Sequence, residues 1–271
     1  MFLKTKSMQD ERSDVRFING VVQFNRVKLN VYCFETDGVL IDTGSQTLAK
    51  EFKPFFEQAD VDQVVITHAH EDHTGGAQYL QNEYGLPIFM NETAIDDCAR
   101  KADYPLYRKF FWGARRPFEA QPIGESFSSR NADWTVIRTP GHAKDHLAFL
   151  NRDTGQLFSG DLYVHPKTKL ILRDESIPTI ITSIEKTLSY DFGELFCCHA
   201  GYVKDGRIAL QKKLAYLQEL RETALYLHKK GYDVREINAR LFTKKYPITL
   251  FSFGEWNSIH MIRSIVNEGN E

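Results

Sequence analysis

The sequence predicts an α/β protein with a helical tail. Three observations carry that expectation. Short β-like runs alternate with helix-spaced runs from Leu29 to Cys198. From about Gly206 onward the pattern is helical only. Several strand-like runs end in polar turns holding His or Asp, where a rigid scaffold presents chemical groups.

In chain order, Leu29 to Thr36 and Gly38 to Ile41 read as strands around Asp37-Gly38, a hairpin turn signal. Asp42-Thr43-Gly44 ends the second strand, and Gln46 to Gln58 has helical spacing. Val61 to Thr67 reads as a buried strand, Thr74 to Tyr84 as a helix and Leu86 to Met90 as a strand. Asn91 to Arg130 mixes aromatic and basic residues and reads as a helical insertion. Strands are expected again at Trp134 to Arg138, His146 to Leu150, Gln156 to Ser159 and Leu195 to Cys198, with a helix over Ile180 to Ser189. In the tail, Ile208 to Lys229 is a long amphipathic helix ended by Gly231. Asp233 can cap a helix through Leu241, and Phe253 to Val266 reads as another. The tail is either a small appended domain or helices packed on the main body.

With 271 residues the chain can hold a sizeable core in one or two domains. It is 42% hydrophobic and 26% charged, which excludes disorder, collagen and coiled coil as whole-chain descriptions. Its 34 basic and 36 acidic residues leave a net charge of −2, so no global field draws it to nucleic acid or membrane. Charges interrupt every apolar stretch before the roughly 18 residues a span requires. The N-terminus, Met1-Phe2-Leu3-Lys4-Thr5-Lys6, lacks the apolar stretch of a secretory signal. Cys33, Cys98, Cys197 and Cys198 suit free thiols in a reducing compartment, so a cytoplasmic location is expected.

The most informative segment is His68-Ala69-His70-Glu71-Asp72-His73, directly after a predicted strand. Imidazole and carboxylate suit Zn²⁺ and similar divalent ions. A turn at a strand end can aim alternate side chains at different points, with His68 and His70 on one ion and Asp72 and His73 on a second. Three of the nine histidines fall in this one turn, which argues against a merely solvated loop. Further candidates stand at other strand ends: His142, Asp161 and His199.

This order and spacing, with Asp42-Thr43-Gly44 upstream, resembles the metallo-β-lactamase superfamily across about residues 15–205. The resemblance implies a four-layer αββα sandwich with a metal site at one edge of the sheets. It implies residues 1–206 as the catalytic domain, with 91–130 inserted over the site and 207–271 as a C-terminal helical extension. It also implies roles: His68, His70 and His142 on a first metal, Asp72, His73 and His199 on a second, and Asp161 bridging both. True zinc β-lactamases of this superfamily place Cys where this chain has Asp161, which argues against antibiotic hydrolysis. Flavo-diiron members carry Glu where His70 stands. The complete second set also argues against the mononuclear persulfide dioxygenases. The remaining branch holds glyoxalase-II-type thioesterases, lactonases, and related endoribonucleases or phosphodiesterases.

The chemistry implied is hydrolysis by a metal-bridging hydroxide, with Asp72 and Asp161 as the catalytic carboxylates. Two divalent ions are expected, Zn²⁺ by default, with Mn²⁺ or Fe accepted by the same donors. Asp42 is the leading candidate to orient a ligand imidazole. His146, beside Asp145, is expected to pack beneath the site, and Cys198 to be a buried structural thiol. In the insertion, Tyr107 and Trp112, among Tyr104, Phe110 and Phe111, are candidate walls of a substrate pocket, joined by His165. Arg108, Lys109, Arg115 and Arg116 suit a carboxylate, a phosphate or, with the aromatics, single-stranded RNA. The expected activity is hydrolysis of a small ester, thioester or lactone. The alternative is an RNA-cleaving or phosphodiesterase activity drawing on tail lysines such as Lys212, Lys213, Lys229 and Lys230. A non-catalytic, zinc-stabilised interaction protein is the third reading. A homodimer through the tail is a further expectation.

Overall fold

The structure is a computed structural model describing residues 3–268. Met1 and Phe2 of the N-terminus, and the last three residues of the expected extension, lie outside them. Two sheets face each other. The first has seven strands in sequence order: β1 (Lys4–Arg12), β2 (Val15–Phe24), β3 (Val27–Thr36), β4 (Val39–Ile41), β5 (Gln63–Val65), β6 (Ile88–Met90) and β7 (Gln121–Pro122). It is antiparallel as far as β4 and parallel from β4 to β7. The second has six strands: β8 (Ser126–Ser128), β9 (Asp133–Arg138), β10 (Leu147–Asn151), β11 (Leu157–Phe158), β12 (Leu195–Cys197) and β13 (Gly201–Val203). Their spatial order runs β13-β12-β11-β10-β9-β8.

Strand alternation builds the layers, because successive side chains point to opposite faces. On β3, Phe34 turns to the space between the sheets, while Val31 and Cys33 turn to the outer face. On β12, Phe196 faces inward and Leu195 and Cys197 outward. The inter-sheet core centres on Phe34, Trp134, Phe149, Phe158 and Phe196. The outer face of the first sheet is covered by α1 (Ala49–Glu57), through Phe52, Phe55 and Phe56. The short α2 (Glu71–Thr74) and α3 (Ala77–Tyr84) follow β5, and Ala77 and Leu80 join the same cluster. The insertion supplies α4 (Ile95–Cys98) and α5 (Leu106–Trp112). The second sheet is covered by α6 (Ile177–Leu188) and α7 (Gly206–Lys229). After α8 (Val234–Leu241) and α9 (Pro247–Phe251), α10 (Ile259–Val266) packs on α6, α7 and α8. Helices α6, α7, α8 and α10 share one hydrophobic cluster with Ile137, Ala148 and Leu195 of the second sheet. The result is the expected αββα sandwich with C-terminal helices.

The Asp37-Gly38 hairpin forms with both central residues at positive φ, +48° and +77°, as a two-residue turn between twisted strands requires. Asp233 caps α8 by accepting the N–H groups of Arg235 and Glu236, while Glu236 accepts the N–H of Asp233. Two expectations need correction. Residues 91–130 are helical only in their first half. Their second half supplies β7 to one sheet and β8 to the other, held by Ile123 in the inter-sheet core and Phe127 stacked on Trp134. The helix expected over Phe253 to Val266 begins only at Ile259, because Phe253 (φ +52°) and Gly254 (φ +82°) turn the chain first. The β1–β2 hairpin and α9 carried no expectation at all. β1 is polar and almost wholly exposed, so it has no apolar face to read.

Among the described residues no helix is long and apolar enough to cross a membrane.

Candidate metal centre

Each turn at one edge of the sandwich contributes donors. After β5 the chain places His68 and His70 in an extended turn, and α2 carries Asp72 and His73. His142 lies in the turn before β10, Asp161 follows β11 and His199 follows β12. All seven expected ligands come together. His68 Nε2 lies 3.0 Å from His70 Nδ1, and His142 Nε2 lies 3.1 Å from that same atom. This is the first trio. Asp72, His73 and His199 form the second. Asp161 stands between them. Its Oδ2 is 3.3 Å from His142 Nε2 and 3.0 Å from His199 Nε2, and its Oδ1 is 3.6 Å from His73 Nε2.

The buried His73 Nε2 and Asp161 Oδ1 have no hydrogen-bond partner. Orphaned buried polar atoms are costly. Two of them facing each other, amid imidazole nitrogens and carboxylates only, fit divalent cations bound by N and O donors.

The imidazoles of His73, His142 and His199 are each held from behind. Asp42, fully buried at φ +59°, accepts from His73 Nδ1 (2.8 Å), from the Thr67 N–H (2.8 Å) and from the Thr67 hydroxyl (2.8 Å). Aspartate tolerates this left-handed backbone better than most residues. The thiol of Cys198 donates to the same carboxylate at 3.0 Å. His142 Nδ1 meets Glu175 at 3.0 Å. His199 Nδ1 donates to the Asn30 carbonyl at 2.5 Å, and the Asn30 amide returns a bond to the His199 carbonyl at 2.9 Å. His146 sits beneath, accepting the Asp161 N–H at 3.0 Å and bonded to Thr139 at 2.8 Å. Gly160, at φ +50°, is required there, since a Cβ would stand 2.6 Å from His146 Nε2. Asp145 accepts the Ala69 N–H at 2.8 Å.

Electrostatics divides the histidines. Burial, then neighbouring His73, His70 and His142, push His68 well below its ordinary pKa. Burial, then Arg108 and His142, do the same for His70. Burial also opposes charge on His73, but Asp42, Asp161 and Asp72 outweigh it and raise it well above the ordinary value. For His199, Asp161 and Asp72 overcome burial and push it up to about 9. Asp161 is held well below the usual carboxylate range because His199 and His73 outweigh its burial. The second trio therefore gathers positive charge around carboxylates, a balance that cations can take over by displacing protons.

The centre opens into a cavity of about 230 Å³. Tyr107 and Trp112 line it as expected, with Phe111, Leu172, Ile248 and Trp256 as further walls. His165 does not. Val164, at φ +50°, turns the chain outward, and His165 is exposed with its Nδ1 accepting the Lys167 N–H. Arg108 is not free to bind a substrate anion with its full fork. Its Nε and Nη2 each donate to Glu71 at 2.7 Å. Arg115 is buried, bonding the Asp97 carbonyl. Lys213, expected among the RNA-facing basic residues, is 5% exposed and points into the interior. The sequence reading missed Glu175, Asn30, Ile248 and Trp256. Each reaches the site from a distant segment, with no local spacing to betray it.

Two stacked sheets with a nitrogen-and-carboxylate centre at their edge define a metallo-hydrolase class. The chain belongs to the metallo-β-lactamase superfamily, whose family model matches residues 30–232. It is similar to a beta-lactamase-like protein 2 homolog of Drosophila melanogaster, 23% identical over 248 residues, covering 85% of this chain and 79% of that protein. It is also similar to the thioesterase pkgB of Emericella nidulans, 30% identical over 128 residues, covering 45% of this chain and only 32% of that one. Among solved structures, a beta-lactamase domain protein from Burkholderia ambifaria shares the fold with a TM-score of 0.68 at 17% identity, covering 97% of this chain and 88% of the other.

Proposed function

We propose that this protein hydrolyses small esters, thioesters or lactones with an apolar acyl or leaving group, using two divalent ions, Zn²⁺ first among them. The observation that carries the reading is the opening of the donor cluster into a cavity walled by Tyr107, Phe111, Trp112, Leu172, Ile248 and Trp256. Such walls suit a compact apolar substrate. A nucleic-acid track needs a row of free cations instead. Here Arg108 is committed to Glu71 and Lys213 is buried. The thioesterase similarity supports an acyl substrate.

His68, His70 and His142 would hold one ion, Asp72, His73 and His199 the other, and Asp161 both. Bound ions supply the Lewis acidity that makes water a nucleophile near neutral pH and polarises a carbonyl. Asp72 lines the cavity, and its carboxylate oxygens lie 3.8 Å from His73 Nε2 and 3.6 Å from His199 Nε2. It is placed to orient the attacking water and accept its proton. Glu71 and Arg108 lock α5 over the metal turn, which fixes the aromatic wall. The test is a hydrolysis panel on zinc-loaded protein, setting aryl esters, thioesters and lactones against single-stranded RNA and a simple phosphodiester. Acyl turnover should fall about 10²–10⁴-fold in Asp72→Ala. Asp72-dependent cleavage of RNA with no acyl turnover would refute the reading.

A further inference from the structure

The turn that carries Asp161 has no regular structure of its own. It leaves β11 at Ser159, and the Leu162 N–H bonds back to the Ser159 carbonyl at 3.0 Å. Val164 then adopts a left-handed backbone, φ +50°, and its N–H meets the Cys197 sulfur at 3.2 Å. Between these points the Leu162 and Tyr163 carbonyls receive Lys213 Nζ at 2.7 and 2.8 Å. The Tyr163 carbonyl also accepts the His165 N–H at 2.6 Å. Lys213 stems from α7 and is 5% exposed, beside Leu210 and Leu217 of the outer core. A buried ammonium is costly unless its hydrogens are used. A buried carbonyl without a donor is costly too.

We propose that Lys213 is a positioning residue for Asp161: by holding the two carbonyls that follow it, the lysine fixes where the carboxylate shared by both trios stands. The proposal rests on the reading of this cluster as a metal centre. Without the ammonium, the Leu162 carbonyl loses this donor and the Tyr163 carbonyl keeps the His165 N–H alone, so the peptide groups after Asp161 are no longer held in place. That loosening acts within two residues of Asp161, whose oxygens sit 3.0 to 3.6 Å from three different imidazoles. A small displacement therefore breaks the sharing before it breaks the fold. Because Lys213 touches no substrate and no ligand atom, its effect is on ion binding, transmitted through Asp161.

The test is titration of ion-free wild type, Lys213→Met and Lys213→Arg with Zn²⁺ against a chromophoric chelator. The visible spectrum of each Co²⁺ form is read in parallel, without substrate. Methionine suits the apolar surroundings and removes the cost of a buried charge, which offsets the lost donor to the carbonyls, so the ion-free Lys213→Met protein should remain folded in a denaturant titration. It should lose affinity for one of two ions by about 10- to 100-fold, the range for groups that orient metal ligands, and its cobalt spectrum should change. Lys213→Arg, which keeps donors for both carbonyls, should recover much of the affinity. In an Asp161→Asn background, Lys213→Met should cost no further ion affinity. If Lys213→Met does not fold, Lys213→Ala takes its place in the same titration. Native affinity for both ions and a native cobalt spectrum in the folded methionine or alanine variant would overturn the proposal. So would a full additional loss in the Asp161→Asn background. A wild-type protein that takes up no divalent ion would instead overturn the metal-centre reading itself.

Discussion

Replacing Asp42 by Asn should weaken ion binding while leaving the fold nearly intact. Asparagine has the same shape and accepts the left-handed backbone at this position. What changes is the donor pattern. Asp42 receives the Thr67 N–H on Oδ1, and the Thr67 hydroxyl, His73 Nδ1 and the Cys198 thiol on Oδ2. With the amide oxygen kept toward the Thr67 N–H, the amide NH₂ faces His73 Nδ1. That nitrogen must then accept, so the ring proton moves to Nε2. His73 Nε2 is the atom that points, unpartnered, into the centre. A ligand lone pair becomes an N–H. Flipping the amide instead sets its NH₂ against the Thr67 N–H. Partners that fix a ligand's tautomer are worth about 10- to 100-fold in metal affinity, which is about 1.4 to 2.7 kcal/mol. The ion-free protein loses one charge-assisted bond, about 1–3 kcal/mol of folding stability. Chelator competition reads the first quantity, and denaturant unfolding of the ion-free form reads the second. Unchanged ion affinity in a folded Asp42→Asn protein would refute the tautomer argument.

Arg108→Ala should strand Glu71, 2% exposed, without its bidentate partner. The expected cost is about 3–5 kcal/mol in urea unfolding, and the Glu71→Ala/Arg108→Ala double variant should recover most of it; no cost in the single variant would remove the pair from the account of how α5 is held. Trp256→Ala should raise KM for bulky acyl substrates with ion content unchanged, checked by metal analysis beside kinetics, and loss of ions would show that this wall supports the centre instead. Trp112 is different: it is 7% exposed within the first sheet's outer core, so Trp112→Ala should lower stability by about 3–5 kcal/mol before it alters preference. Chelation should lower the unfolding midpoint, and free ion at about 100 times its Kd should restore about 2.7 kcal/mol; a midpoint independent of ion concentration would mean that no ion is held by the folded state alone.

The seven clustered donors were legible because their chemistry is rare and their places are fixed by strand ends. A histidine cluster after one strand, then a His or Asp after each of three others, needs no tertiary knowledge to be noticed. Asp42 was legible for the same reason, as the last residue of a strand converging on the same edge. Glu175 was not, because it meets His142 only after α6 folds back over the second sheet. Asn30 holds His199 through a backbone carbonyl, which any residue type would supply. His165 misled because its sequence distance from Asp161 is short while the turn at Val164 reverses its direction. One lysine of the tail misled in the opposite way: Lys213 looked like surface charge, and its burial depends on two carbonyls that no side-chain pattern announces.

Four of the candidate donors hang from the first sheet and three from the second, so the centre is assembled across the two sheets. Backbone bonds stitch the two together beside it. The Leu147 N–H meets the Thr67 carbonyl at 2.8 Å, and the Tyr32 N–H meets the Cys198 carbonyl at 2.8 Å. Beneath them, Phe34 of the first sheet stands edge-on against the stacked pair Phe158 and Phe196 of the second, with centroids 5.7 and 5.6 Å away. Close-packed interiors transmit such contacts rather than absorb them. A smaller side chain at Phe34 would thus act on His199 and Asp161 through their strands, altering ion affinity by a path that touches neither ligand. The coupling is reciprocal, since ions that bind only the assembled sandwich must stabilise its assembly. Stability and ion binding in this fold are therefore coupled at the edge where the turns of the two sheets meet.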